Sequence, residues 1–266
     1  MPTQQIEWAD GSGDKIYITS PDFSGNQQIA VSSDPNTGAA RSKVVTFTAG
    51  NVSQTLTVQQ AAGSGGNLSD YVQDGLVLHL DGKTGKTGNT SWESVVGNVL
   101  FTNNGATFNA DHIYFDGTDD YLSNTAFTTP LNSTGTIEIC FEREGSGTRV
   151  LYMPKTANAL AFGSVGGVLN WSNGTNRTTY DTLPMKGVAS VNVNRAIQNG
   201  EAMTAHGNTY MSGRSTATTY IGRRSNGSYY MGKIYSIRIY NRALTEAEIL
   251  QNHAVDNIRF NLGLNL

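Results

Sequence analysis

Leu76, Leu78 and Leu80 alternate with Val77 and His79 in "GLVLHLDG", and the same two-residue period returns along most of the chain. A period of two sends successive side chains to opposite faces of a strand, so each such run predicts a β-strand with one apolar face. Before residue 62 the runs are "KIYITS", "QQIAVSS", "KVVTFTAG" and "SQTLTVQQ". In the last of these Leu56 and Val58 share one face and Thr55, Thr57 and Gln59 the other, and "TAGNVSQT" reads as the hairpin turn before it. Beyond residue 70, "HIYFDG" pairs Ile113 with Phe115. "GTIEICFERE" turns Ile137, Ile139 and Phe141 inward and leaves Glu138, Cys140 and Glu142 on the opposite face, read as solvated. "GVASVNVNRA" alternates Val191 and Val193 with Asn192 and Asn194. "KIYSIRIYNRAL" alternates Tyr235, Ile237 and Ile239 with Ser236, Arg238 and Tyr240. Many short strands with turn signals between them predict an all-β protein of sandwich or jelly-roll type.

One helix breaks the pattern. In "LTEAEILQNHA" Thr245 is the expected N-cap and Glu248 stands at N3, a capping box, while Leu244 and Ile249 form a hydrophobic staple. Glu246 and Glu248 complement the helix dipole. The stretch "AAGSGGNLS" has no apolar anchor and predicts a flexible linker over residues 63–70. It separates a small domain at 1–62 from a larger one at 71–266.

Composition narrows the function classes. Charged residues make up 15% of the chain and the net charge is -3, so no basic surface for nucleic acid is expected. No apolar run approaches the length of a membrane-spanning helix. The single cysteine, Cys140, excludes an internal disulfide and a cysteine-based zinc site. His79, His112, His206 and His253 show no metal-binding spacing and read as ordinary polar or half-buried residues. The start, "MPTQQIEWAD", lacks the three parts of a signal peptide, so the expectation is a mature chain or one that leaves its cell by another route.

Two stretches resemble known families. "VSSDPNTGAARSKVVTFTAGNVSQTLTVQQAA" is similar to the second half of the BACON domain, an immunoglobulin-like module of Bacteroidetes and their phages. The extra strands at the start of that family are missing or replaced by "IEWADGSGDKIYIT", which implies an exposed sheet edge in need of a covering partner. "DGLVLHLDG", "YFDGTDDYL" and "YIGRRSNGSYYMGKIYSIRIYNRALTEAEILQNH" resemble the concanavalin A-like lectin/glucanase superfold in its laminin G-like form. The expected fold is therefore a small immunoglobulin-like sandwich followed by a laminin G-like jelly roll with one short C-terminal helix.

The candidate chemistry lies in three places. "YFDGTDDYL" carries Asp116, Asp119 and Asp120, either a polar turn between strands or part of a calcium site. Calcium takes six to eight oxygens, so other loops would have to contribute. "LNWSNGTNRTTY", read as loop-rich, offers Trp171, Asn173, Asn176 and Arg177 for sugar stacking and hydrogen bonding. "RRSNGSYYMG" offers Arg223, Arg224, Asn226, Tyr229 and Tyr230, and Trp92 is a further aromatic candidate. The Glu-x-Asp-x-x-Glu strand motif of the glucanases is absent. Glu138 and Glu142 would stand roughly 13 Å apart along a strand, beyond the range of paired glycosidase carboxylates. Glu142 and Glu144 fit at about 7 Å, but no third carboxylate follows them.

These readings point to a non-enzymatic binding protein for glycans of capsular or mucin type. The resemblances imply a structural component of a phage particle, such as a head fibre, capsid decoration or tail adhesin. Such a component would assemble with other virion proteins and as a homo-oligomer, trimers included. A secreted or surface glycan-binding protein of a Bacteroidetes bacterium is the alternative, and a glycoside hydrolase the third reading.

Overall fold

A computed structural model describes residues 3–8, 15–19, 30–33, 41–49, 52–60, 66–127, 135–145, 149–154, 161–165, 168–172, 177–182, 184–192, 195–204, 218–224, 227–264 and 266. The chain divides into two units, Met1–Asn67 and Leu68–Leu266. The second begins inside the segment expected as linker, because Leu68–Asp70 forms a 3-10 turn there. Tyr71 follows, fully buried, and its hydroxyl donates to Asp256 Oδ1 over 2.8 Å.

The first unit holds a three-stranded sheet, ordered Thr3–Glu7, Lys15–Thr19, Ala30–Ser33, and a hairpin of Arg41–Ala49 with Val52–Gln60. Trp8, Ile16, Ile18 and Val45 form its buried centre, and Phe47 and Val58 pack against them. Thr55, Thr57 and Gln59 are exposed as the alternation requires. The Arg41 guanidinium lies over the Trp8 ring at 4.5 Å.

The second unit packs two antiparallel sheets face to face. One orders Thr107–Phe108, Ile113–Asp116, Met231–Tyr240, Thr136–Arg143, Lys186–Asn192, Ala196–Gln198 and Glu201–Ala202, with Leu76–Asp81 also paired to Met231–Tyr240. The other orders Arg177–Thr182, Val168–Ser172, Ala161–Val165, Arg149–Pro154, Thr219–Ile221, Tyr121–Asn124, Leu100–Asn104, Ser91–Glu93 and Lys86–Thr87. Between them lie Leu78, Leu80, Phe101, Ile113, Phe115, Leu122, Ile137, Ile139, Phe141, Ile221, Ile237 and Ile239, all without solvent exposure. All but Phe101, Leu122 and Ile221 are inward positions that the alternation marks in the sequence.

Two inward expectations fail at β-bulges. The register between Thr136–Arg143 and Met231–Tyr240 shifts between Cys140 and Phe141, so Ile234 rather than Tyr235 enters the core. Tyr235 instead packs with Cys140, Val188, Phe260 and Leu262 on the other face. A second shift, between Ile239 and Tyr240, moves Leu76 out of the central cluster to pack beside Val72, Tyr240, Leu244 and Ile249.

The helix runs from Glu246 to Arg259, and its capping box is complete in both directions. It covers the outer face of the first sheet, which corrects the reading of Glu138 as solvated. Glu138 is fully buried and accepts from Arg238 Nε at 2.9 Å, Asn252 Nδ2 at 2.8 Å and Ser190 Oγ at 2.9 Å. The Arg238 guanidinium also donates to both Asp256 oxygens and stacks on Tyr71 at 4.3 Å. Behind this layer Arg259 holds Asp81, with Nη2 to Oδ1 at 2.9 Å. A buried ionic layer thus joins helix to sheet where a simpler sandwich would use leucines. The "YNR" stretch fastens the same helix, as Arg242 forks onto Glu248 at 2.7 and 3.0 Å.

Candidate functional site

Among the described residues, the outer face of the second sheet carries exposed and half-buried side chains. Glu93, Leu100 and Thr102 on that face are exposed, and Asn104, Tyr121 and Ser123 are half-buried. Cross-strand register sets them in rows, with Tyr121 opposite Asn104, Ser123 opposite Thr102, and Ser123 opposite Tyr220 on the other flank. Leu122 and Ile221, between these positions, point into the core.

At one end of this face three tyrosines gather around one guanidinium. Arg223 lies over Tyr121 at 4.4 Å, Tyr220 at 4.7 Å and Tyr229 at 5.7 Å. Tyr121 and Tyr220 meet edge to face with centroids 5.7 Å apart. Strict alternation from the buried Ile221 would turn Arg223 inward. Gly222 prevents this with a left-handed φ of 86°, and a Cβ there would stand 2.5 Å from the Phe115 ring. The break swings Arg223 onto the tyrosine side. A bridge between Arg223 and Tyr229 then closes the hairpin, with Arg224 N–H donating to Ser228 O at 2.8 Å.

The three aspartates stand at the turn that leads into Tyr121. One oxygen from each of Asp116, Asp119 and Asp120 lies within 4.8 Å of the others. Two oxygens are already engaged in the turn. Asp116 Oδ1 accepts Thr118 N–H at 2.7 Å, and Asp120 Oδ2 accepts Asp116 N–H at 2.9 Å. Gly117, at φ 83°, completes it. Burial pushes the Asp120 carboxyl up, the Asp116 N–H opposes this, and the Asp116 and Asp119 charges add to the rise. The cluster can contribute some of the six or more oxygens of a calcium ion, with exposed Asp116 and Asp119 most available.

Other expected ligand residues fall elsewhere. Trp92 is fully buried between the sheets, with Nε1 donating to Asp81 O at 2.9 Å. Tyr230 is also core, edge to face with Phe115 at 5.9 Å and with its hydroxyl on Glu142 O at 3.0 Å. Neither ring is open to a ligand. Trp171 and Arg177 lie on paired strands rather than in a loop, with Trp171 opposite Thr178 and Ser172 opposite Arg177. The Trp171 and Arg177 side chains, and Asn173, Asn176 and Asn226 entirely, lie outside the described residues. Tyr229 is half-buried and Arg224 exposed, beside the cluster. Tyr121 and Tyr220 were missed, although "DYLSN" and "TYIG" alternate a tyrosine with a core aliphatic and so place it on the outer face.

The buried Ser190, His253 and Glu138 sit in line but are wired the wrong way for nucleophilic chemistry. Gly200 N–H donates to His253 Nδ1 at 3.3 Å and Ser190 Oγ donates to Glu138. Nε2 must therefore carry the proton that it shares with Ser190 Oγ at 2.7 Å. A histidine that donates to the serine cannot act as its base.

Residues 102–250 match the concanavalin A-like lectin/glucanases superfamily, in its laminin G-like form. The chain belongs to that superfamily. Residues 8–61 of this concanavalin A-like protein also match BACON, a family of N-terminal binding domains. Among curated proteins none matches. Solved structures that resemble it include Trypanosoma rangeli sialidase in complex with sialic acid. That match has 13% identity and a TM-score of 0.54 over 97% of this chain and 53% of the sialidase. Domain 4 of AbnA, an arabinanase from Geobacillus stearothermophilus in complex with arabinotriose, matches at 13% identity and TM-score 0.50, over 67% of this chain and 98% of that domain. The binding domain of botulinum neurotoxin DC in complex with rat synaptotagmin II matches at 12% identity and TM-score 0.54, over 73% and 56% of the two chains. The chain spans about half the length of the sialidases it matches. At these identities the likeness is one of fold.

Proposed function

We propose that this protein binds carbohydrate on the outer face of its second sheet and performs no chemistry on it. The observation that carries the reading is the cluster of Tyr121, Tyr220 and Tyr229 around Arg223, beside three aspartates. Tyr121 and Tyr229, both half-buried, offer rings for the apolar face of a pyranose, whereas Tyr220 is buried and supports Arg223; guanidinium and carboxylate groups serve the hydroxyls. The arabinotriose complex of the AbnA domain, matched over 98% of its length, lends the reading support from a similar fold. The non-enzymatic reading is supported by the carboxylates of "IEICFERE". Glu138 is bound to Arg238 under the helix, and Glu142 accepts from Tyr235 at 2.9 Å and lies 3.3 Å from Lys233 Nζ.

The test is a glycan array of capsular and mucin oligosaccharides, run in calcium and again in chelator. Binding is expected, and Tyr121→Ala with Tyr229→Ala, the two half-buried rings, should weaken it at least tenfold without unfolding the protein. Unchanged binding in that variant would move the site off this face. Loss in chelator would assign Asp116, Asp119 and Asp120 to a metal.

The BACON match followed by a lectin-like unit is compatible with display on a particle, and we propose a homo-oligomeric head fibre, capsid decoration or tail adhesin of a phage. Mass spectrometry of purified particles should find this chain in fixed ratio to the capsid protein. Recovery from bacterial surface fractions alone would make it a host glycan-binding protein instead.

A further inference from the structure

We infer that the ligand of this face is an acidic glycan, and that Arg223, with Arg224 at its side, receives a carboxylate borne on the sugar. The inference rests on the carbohydrate reading above and narrows it to a class. Arg195, Arg238, Arg242 and Arg259 each hold a carboxylate of this chain within 4.0 Å. Arg223 and Arg224 form no such pair among the described residues. The Arg223 Nε makes one long bond, 3.4 Å to Arg224 O, and its two terminal amino groups have no protein partner among the described residues.

The guanidinium is nonetheless held. Three rings restrict it, and the left-handed Gly222 was needed to bring it there. Fixing an arginine before the ligand arrives removes the side-chain entropy that an exposed ion pair normally costs. A planar fork whose terminal N–H groups have no partner among the described residues, resting on aromatic rings, suits a carboxylate in two-point contact. The aspartates do not occupy that fork. The Asp120 side chain turns toward Gly105, on the Leu100–Asn104 side of Tyr121, while Arg223 leaves from the Thr219–Ile221 side. Tyr121 thus stands between an acidic and a basic flank. A uronate or sialate ring stacked there would place its carboxylate over Arg223 and its hydroxyls toward the aspartates, because the reverse orientation sets like charges together.

Matched pairs test this on the full chain: uronate and sialate oligosaccharides, each beside its carboxyl methyl ester, titrated by calorimetry. The acid of at least one pair should bind at least tenfold tighter than its ester, with the preference shrinking as salt rises. In Arg223→Lys, which keeps the charge and loses the fork, that preference should fall below about threefold. Esters or neutral glycans bound as tightly as acids, with loss on Tyr121→Ala, would overturn the inference and leave the carbohydrate reading standing. No binding by any glycan would overturn both.

Discussion

Arg238→Met should cost the second unit about 3–5 kcal/mol, the largest effect of any single substitution considered. The side chain has no solvent exposure and serves Glu138, Asp256 and Ser236 at once. Methionine fills much of the volume but strands two fully buried carboxylates. Part of each is still satisfied, Glu138 by Asn252 and Ser190, and Asp256 by Tyr71 and Ser236. The loss therefore stops short of the full price of two naked charges. Urea unfolding checks the value. Arg242→Met is the contrast, since that side chain is 28% exposed and its pairs with Asp74 and Glu248 are screened, so no more than about 1 kcal/mol is expected. A loss below 1 kcal/mol at Arg238 would mean that the helix is held by its apolar contacts alone. The relevant contacts are those of Leu244, Ile249 and Phe260 with the sheet.

Acidification should loosen the same layer through its two buried histidines. Burial first, and then the charge of Arg238, lowers His79 and His253 from 6.5 to about 3. His253 faces Ser190, Glu138, Gly200 N–H and Arg238. His79 faces Tyr71, Asp81, Arg238, Asp256 and Arg259. Both are neutral in the folded protein, while the unfolded chain takes up a proton on each near 6.5. Their contribution is therefore complete above pH 6.5 and is lost as pH falls toward 3. The slope approaches about 1.4 kcal/mol per pH unit for each histidine. Glu138 acts in the opposite sense where it binds a proton, because burial raises its carboxyl. Between pH 6.5 and 5 the histidines should dominate. Denaturant midpoints measured across that window should fall with pH, and His253→Gln should remove about half the slope. A flat profile would show that the two rings are solvated in solution.

Much of the architecture was legible in the order of residues. Leu78, Leu80, Ile113, Phe115, Ile137, Ile139, Phe141, Ile237 and Ile239 were marked inward by alternation and are all core. The capping box of Thr245 and Glu248 was readable because its partners are three residues apart. Tyr235 and Leu76 were misplaced at bulges, where one extra residue reverses the faces and leaves no local signature. The candidate site was read in part. Tyr229 lies under Arg223 and the aspartates stand at the turn before Tyr121, whereas Trp92 and Tyr230 were taken for surface aromatics and are core.

By itself the sequence determined what depends on neighbours within a few residues: strands, their two faces, the helix and its cap, and the all-β class. Only the tertiary structure decided what lies over each face. Alternation states that Glu138, Ser190 and Arg238 point away from the leucines, but not that a helix about a hundred residues after Glu138 will bury them with Asp256. It places Tyr121 and Tyr220 outward, but only the strand order sets them side by side with Arg223 between. Burial and convergence are properties of contacts between distant segments, and the period of a strand carries no information about its partner.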